Sequence, residues 1–151
     1  MTDRVDFYIL NSPTPKQRFT FACRLVEKAY LRGLRVVVLS ASAADAKALD
    51  DLLWTFNDQS FVPHRLCRDE EPMNAEEAPV HLSTALDAAS AADMLVNLSD
   101  RLPTGLERFA RIAEIIDGDP ERRRLGRERF KTYREHQLAP KTHQMDGTGE
   151  I

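Results

Sequence analysis

The run RVVVLS at residues 35–40 limits the possible folds more than any other stretch of the chain. A strand with one wet face alternates apolar and polar residues, whereas six residues with no such alternation predict a strand covered on both faces, as in parallel sheets. The segment before it fits that reading. Phe19, Ala22, Cys23, Val26 and Tyr30 recur at helical spacing, and Gly33 stands where a C-terminal cap belongs. Residues 5–10 (VDFYIL) read as another strand, so the chain opens as a βαβ unit.

Strands and helices alternate further along. A helix over 44–56 turns Leu49, Leu52, Leu53 and Phe56 inward, and strands are expected at 65–67, 80–82 and 94–98. Residues 68–78, with five acidic residues and no apolar period, read as a loop. Leu106, Phe109, Ile112, Ala113 and Ile116 predict an amphipathic helix over 106–116, and another helix follows from Pro120. The expected architecture is an α/β three-layer sandwich around a mainly parallel sheet. Residues 1–139 are expected to form one domain, and the polar residues 140–151 a disordered tail. No apolar run approaches the ~20 residues of a membrane helix. Two cysteines, Cys23 and Cys67, are too few for a disulfide framework, and the start of the chain has no leader pattern, so a cytoplasmic protein with reduced thiols is expected.

A βαβ start invites a nucleotide site, because phosphates sit on glycine-rich turns at helix N-termini. Here that turn is Asn11-Ser12-Pro13-Thr14-Pro15, and the first glycine of the chain is Gly33. The two prolines remove N–H donors where a phosphate would need them. His64, His81, His136 and His143 show no metal-ligand spacing, and no nucleophile motif is present. No catalytic residue, metal or cofactor is assigned. An enzyme using Asp or Ser residues at strand ends stands as the alternative.

Two regions suggest binding. In the helix from Pro120, capped by Asp119, helical geometry places Arg123, Arg127, Phe130 and Arg134 in one sector with Lys131 on its flank. Residues 121–151 carry a net charge of +3 and residues 1–120 a net of −6. A basic patch enclosing an aromatic suits an acidic, partly apolar peptide better than duplex DNA, whose binding draws on many spread phosphate contacts. The plain alternative is a solvated helix whose arginines pair with Glu121, Glu128 and Glu135. The other region is Trp54, pointing away from the Leu49–Leu53 stripe, followed by Phe61 in a loop. Large rigid rings grouped at an element's end are typical interface anchors.

An opening FYIL strand, the segment LDDLLWTFNDQSFVPHRL at 49–66 and RERFKTYR at 127–134 resemble the chi subunit of bacterial DNA polymerase III holoenzyme. The resemblance implies a Rossmann-like fold and a non-enzymatic accessory subunit of the clamp loader. It also implies two partners. The acidic C-terminal tail of single-stranded DNA-binding protein would meet Ile116, Arg123, Arg127, Phe130 and Lys131. The psi subunit or a repair helicase would meet Trp54, Phe61, Val62, Pro63 and His64. The family pattern admits lysine where this chain has Arg123 and tyrosine where it has Phe130. Contact with DNA would be mostly indirect.

Overall fold

The computed structural model describes residues 2–11, 14–57, 59, 61–66, 79–85, 92–102 and 108–145. Seven strands form one sheet: β1 (Arg4–Leu10), β2 (Val36–Ser40), β3 (His64–Leu66), β4 (Val80–Ser83), β5 (Met94–Leu98), β6 (Arg111–Ile116) and β7 (Lys141–Met145). Their order is β3-β4-β2-β5-β6-β1-β7, and every pairing is parallel. Three helices are described: α1 (Pro15–Leu31), α2 (Ala43–Thr55) and α3 (Pro120–Glu135). Helices α1 and α2 pack on one face over Tyr8, Leu10, Val36, Val38 and Val96. Helix α3 packs on the other, over Val5, Phe7, Val37, Leu39 and Ile112. The α/β sandwich read from the sequence is thus present, with a sheet parallel throughout.

Two expected elements differ. The helix expected over 106–116 gives way to β6 at Arg111–Ile116, whose side chains beyond Arg111 are all buried. Ile112 and Ile116 face α3, whereas Ala113 and Ile115 face the other helices. Apolar positions on both faces of a central strand can mimic a helical period. The polar tail expected from residue 140 contributes β7, paired with β1 from Asp6↔Lys141 to Leu10↔Met145. An edge strand needs no apolar run, since one side of its ladder is open. The acidic stretch 68–78 and Cys67 lie outside the described residues. Cys23 is a buried thiol pushed up to about 12 by burial.

Helix α3 starts as its sequence directs. Asp119 Oδ1 accepts the Arg122 N–H at 2.9 Å, with Pro120 in the first turn. Its inward face is polar, with Gly126, Arg129 and Tyr133 the buried residues. Beneath it lies Glu114 of β6, wholly buried. Glu114 Oε1 accepts from Arg129 Nε at 3.1 Å, and Oε2 accepts from Tyr133 Oη at 2.8 Å and Asn97 Nδ2 at 3.0 Å. Burial pushes the Glu114 carboxyl above its usual range, against the pull of Arg129, Tyr133 and Asn97.

Glu114→Gln offers one acceptor oxygen where the carboxylate offers two, and it leaves Arg129 charged in the core. Breaking a buried pair from one side costs about 3–5 kcal/mol. Urea denaturation at neutral pH is expected to show a loss of that order, and a change below about 1 kcal/mol would count against this account.

Candidate functional site

Four of the five residues expected to form a peptide site come together. Ile116, Arg123, Arg127 and Phe130 line one cavity of about 250 Å³ with Phe7, Ile9, Gly126, Thr142 and Gln144. The cavity lies on the α3 face of the sheet, where β1 is flanked by β6 and β7. Lys131 is exposed on α3 outside the lining.

The walls are apolar and the rim is cationic. Phe130 meets Phe7 edge-on with ring centroids 5.2 Å apart, so it is half-buried rather than surrounded by cations on all sides. Gly126 brings α3 close to β6: a Cβ there would stand 2.9 Å from Ile116 Cδ1. Arg123 is anchored by backbone carbonyls, its Nε donating to Asp117 O at 3.1 Å and its Nη2 to Leu10 O at 3.4 Å. This places its guanidinium across the ends of β1 and β6.

The alternative of mutual neutralisation along α3 holds for a different arginine. Arg124, off the cavity, binds both Glu121 and Glu128. Among the described residues, Arg127, Lys131 and Arg134 have no carboxylate partner. Unneutralised charge beside an apolar hollow favours a ligand carrying both carboxylates and a hydrophobic group.

The turn leading into α3 is fixed by a fork. Arg122 Nε and Nη2 donate to Asp117 Oδ1 and Oδ2 at 2.8 and 2.7 Å, and the Asp119 N–H donates to Oδ1 at 3.2 Å. Burial raises the Asp117 carboxyl, but the Arg122 fork and the Asp119 N–H outweigh it and hold the group below its ordinary 3.8.

At the C-terminal end of the sheet, where nucleotides bind in many α/β folds, β5 and β6 meet a buried arginine. Arg18 Nε donates to Ile115 O at 2.9 Å and its Nη2 to Leu98 O at 3.1 Å. Burial, helped by Arg122 nearby, pushes its guanidinium down to about 10, so it stays charged at neutral pH. It ties α1 to the C-terminal ends of β5 and β6.

The second expected surface is smaller than its sequence segment. Trp54 and Phe61 are 55% and 60% exposed, with ring centroids 5.4 Å apart. The His64 ring lies 4.8 Å from Trp54, but its side chain is shielded from solvent. His64 Nδ1 is 2.6 Å from Val62 O and Nε2 is 3.1 Å from Asp50 Oδ1. Pro63 is half-buried, and Val62 is fully buried in the α1/α2 core. Val62 and the His64 ring therefore support this surface from beneath rather than form part of it.

Sequence reasoning missed Phe7, Ile9, Gly126, Thr142 and Gln144. Strand alternation places Phe7 and Ile9 on one face. Gly126 was also legible, because a glycine inside a helix costs about 1 kcal/mol against alanine and so signals a close approach. Thr142 and Gln144 carry no such signal.

A seven-stranded parallel sheet with helices packed on both faces places the molecule in the class of α/β three-layer domains. Similarity to known proteins makes the class specific. The family model described as DNA polymerase III chi subunit, HolC, matches residues 1–141. DNA polymerase III subunit chi of Pseudomonas aeruginosa is 35% identical over 142 residues, spanning 94% of this chain and 96% of that protein. The Escherichia coli subunit chi is 27% identical over 133 residues, spanning 85% and 88%. The chain belongs to the DNA polymerase III chi subunit family, which names an accessory rather than a catalytic subunit. A DEAD box protein from the hyperthermophile Methanococcus jannaschii shares the fold, with TM-score 0.57 and 14% identity over 94% of this chain. The chain spans 42% of that protein's length, and the likeness is one of fold alone. Among the described residues, no helix is long and apolar enough to cross a membrane.

Two outcomes follow from this geometry. Gly126→Ala gains about 1 kcal/mol of helix propensity and loses a similar amount to crowding against Ile116, so stability changes by about 1 kcal/mol or less. Its crystal structure is expected to show Ile116 turned into the cavity or α3 lifted from the sheet. The unfolded Asp117 carboxyl takes up a proton at higher pH than the folded one. Its contribution is therefore complete above pH ~3.8 and disappears as pH falls through the folded value. Asp117→Asn is expected to cost about 1–3 kcal/mol at pH 7 and to show a shallower fall in thermal midpoint below pH 4 than the parent.

Proposed function

We propose that this chi-family chain is an adaptor whose α3 cavity binds the acidic C-terminal tail of single-stranded DNA-binding protein. The observation that supports this is the convergence of Ile116, Arg123, Arg127 and Phe130 on one apolar hollow with an unneutralised rim. A terminal phenylalanine of such a tail would pack among Phe7, Ile116 and Phe130, and its carboxylates would meet Arg123 and Arg127. Lys131 adds long-range attraction rather than contact.

The exposed Trp54–Phe61 pair would hold the second partner, psi or a repair helicase, with the His64 ring bracing Trp54. The two surfaces lie at opposite ends of the strand order. The tail cavity is at β1–β7, and the Trp54 patch lies where α2 leads to β3. Six strand spacings separate these edges, roughly 30 Å. Both partners can therefore sit on one molecule in the cytoplasm, as part of the clamp-loader assembly, with DNA reached through them.

Calorimetric titration with the last ten residues of the organism's own single-stranded DNA-binding protein tests this. Losing one charge-assisted contact is worth about 1.5–3 kcal/mol, so Arg127→Ala is expected to weaken binding by about 10- to 100-fold. Phe130→Ala should weaken it comparably, and Trp54→Ala should leave it unchanged. Absence of binding by the parent protein, or equal binding by Arg127→Ala, would overturn the proposal.

A further inference from the structure

A second cavity, of about 320 Å³, lies on the other face of the same strands. Its lining includes Arg4, Tyr8, Lys28, Arg32, Arg111 and His143, with Leu25, Met94 and Met145 as the apolar wall. It opens near the starts of β1, β5 and β6, beside the last turn of α1, and is separated from the tail cavity by the sheet.

The cavity gathers cations that the fold neutralises only in part. Arg4 and Arg111 are register partners on neighbouring strands β1 and β6. Like charges directly opposite in a sheet are destabilising. Lys28 in the last turn of α1 and Arg32 at its C-cap bring two further cations to the same rim.

A nearby carboxylate relieves Arg4 alone. Asp6 has both oxygens engaged, Oδ2 by Arg4 Nε at 2.7 Å and Oδ1 at 2.8 Å from His143 Nε2. Among the described residues, Lys28, Arg32 and Arg111 have no carboxylate partner. Arg111 Nε is shut off from solvent without a hydrogen-bond acceptor. The C-terminal end of α1 favours cations nearby, but its carbonyls do not hold Lys28 or Arg32 directly. The carbonyls of Ala29 and Tyr30 are already taken by the backbone N–H groups of Arg32, Gly33 and Leu34.

We propose that this cavity binds an organic phosphate of nucleoside-diphosphate size, its phosphates between Arg111, Lys28 and Arg32 and its apolar part against Leu25, Met94 and Met145. The volume is at the lower end of the range for small-molecule sites. Tyr8, stacked on His143 with centroids 5.0 Å apart, provides an aromatic wall within the cavity. The phosphates would be held by side chains alone. Among the described residues no helix N-terminus lines the cavity, so the glycine-free β1–α1 turn at the opposite end of the sheet is no obstacle.

The test is titration of the full chain with ADP, sodium pyrophosphate and adenosine at low ionic strength, for the parent and for Arg111→Gln, Lys28→Gln and Arg127→Ala. Saturable binding of ADP is expected, tighter than pyrophosphate, with adenosine not bound. Each of the first two variants should weaken ADP by about tenfold or more, while Arg127→Ala, on the other face, should leave it unchanged. Lys28→Gln keeps the test open if Arg111→Gln does not fold. No saturable ADP binding, binding of pyrophosphate as tight as ADP, undiminished binding by the variants, or equal loss in Arg127→Ala would each overturn the proposal.

Discussion

The wholly buried carboxylate of Glu114 governs how the α3 layer is built. A carboxylate in a dry core needs hydrogen-bond donors on each oxygen, and most of them must come from the helix laid over it. Arg129 and Tyr133 provide them from α3, and Asn97 from the neighbouring strand. The centre of the α3 interface is therefore polar and directional, which fixes the rotation of the helix about its axis more tightly than apolar contact would. With Arg129 and Tyr133 turned down onto Glu114, Phe130 is carried to the margin of the interface against Phe7, and Arg127 is turned to solvent. The cavity results from that rotation.

Strand β7 shows why composition alone misleads at a sheet edge. Its sequence, KTHQM, has no apolar pattern, because its exposed ladder edge and half-covered faces reward polar residues. What holds it is specific: the ladder to β1, His143 Nε2 near Asp6 Oδ1 and the stack of His143 on Tyr8. Alternation then sends Thr142 and Gln144 to one cavity, and His143 and Met145 to the other. One short polar strand borders both cavities, so reading it as a tail hides part of each.

Much of the fold was legible because its signals are local. The buried run at β2, the apolar stripe of α1 and the Asp119–Pro120 start of α3 need no distant partner to be recognised. Strand β6 was not, since RIAEII is apolar towards both faces and its one acid is explained only by residues up to 19 positions away. The same division runs through the site. Arg123, Arg127 and Phe130 share a helical sector and could be grouped from spacing, whereas Phe7, Thr142 and Gln144 arrive by strand pairing. Val62 shows the converse error: a segment that resembles an interface motif also contains residues that hold the exposed rings in place from the core.

The distance between the two proposed partner surfaces bears on how an adaptor of this kind would work. Coupling between sites requires an element with two arrangements that both ligands bias. Here the path between them is a continuous seven-stranded parallel sheet packed on both faces, which supplies stiffness rather than alternatives. Partners held at β1–β7 and beside β3 would then bind with additive free energies. The advantage would come from tethering. A weak tail contact and a second contact on the same rigid body raise the local concentration of each partner for the other, and overall avidity can exceed either affinity by about 10²–10⁴ without any conformational signal. A modest cavity with a few unneutralised cations would suffice for such a role, since a tail held there would have to let go as well as hold.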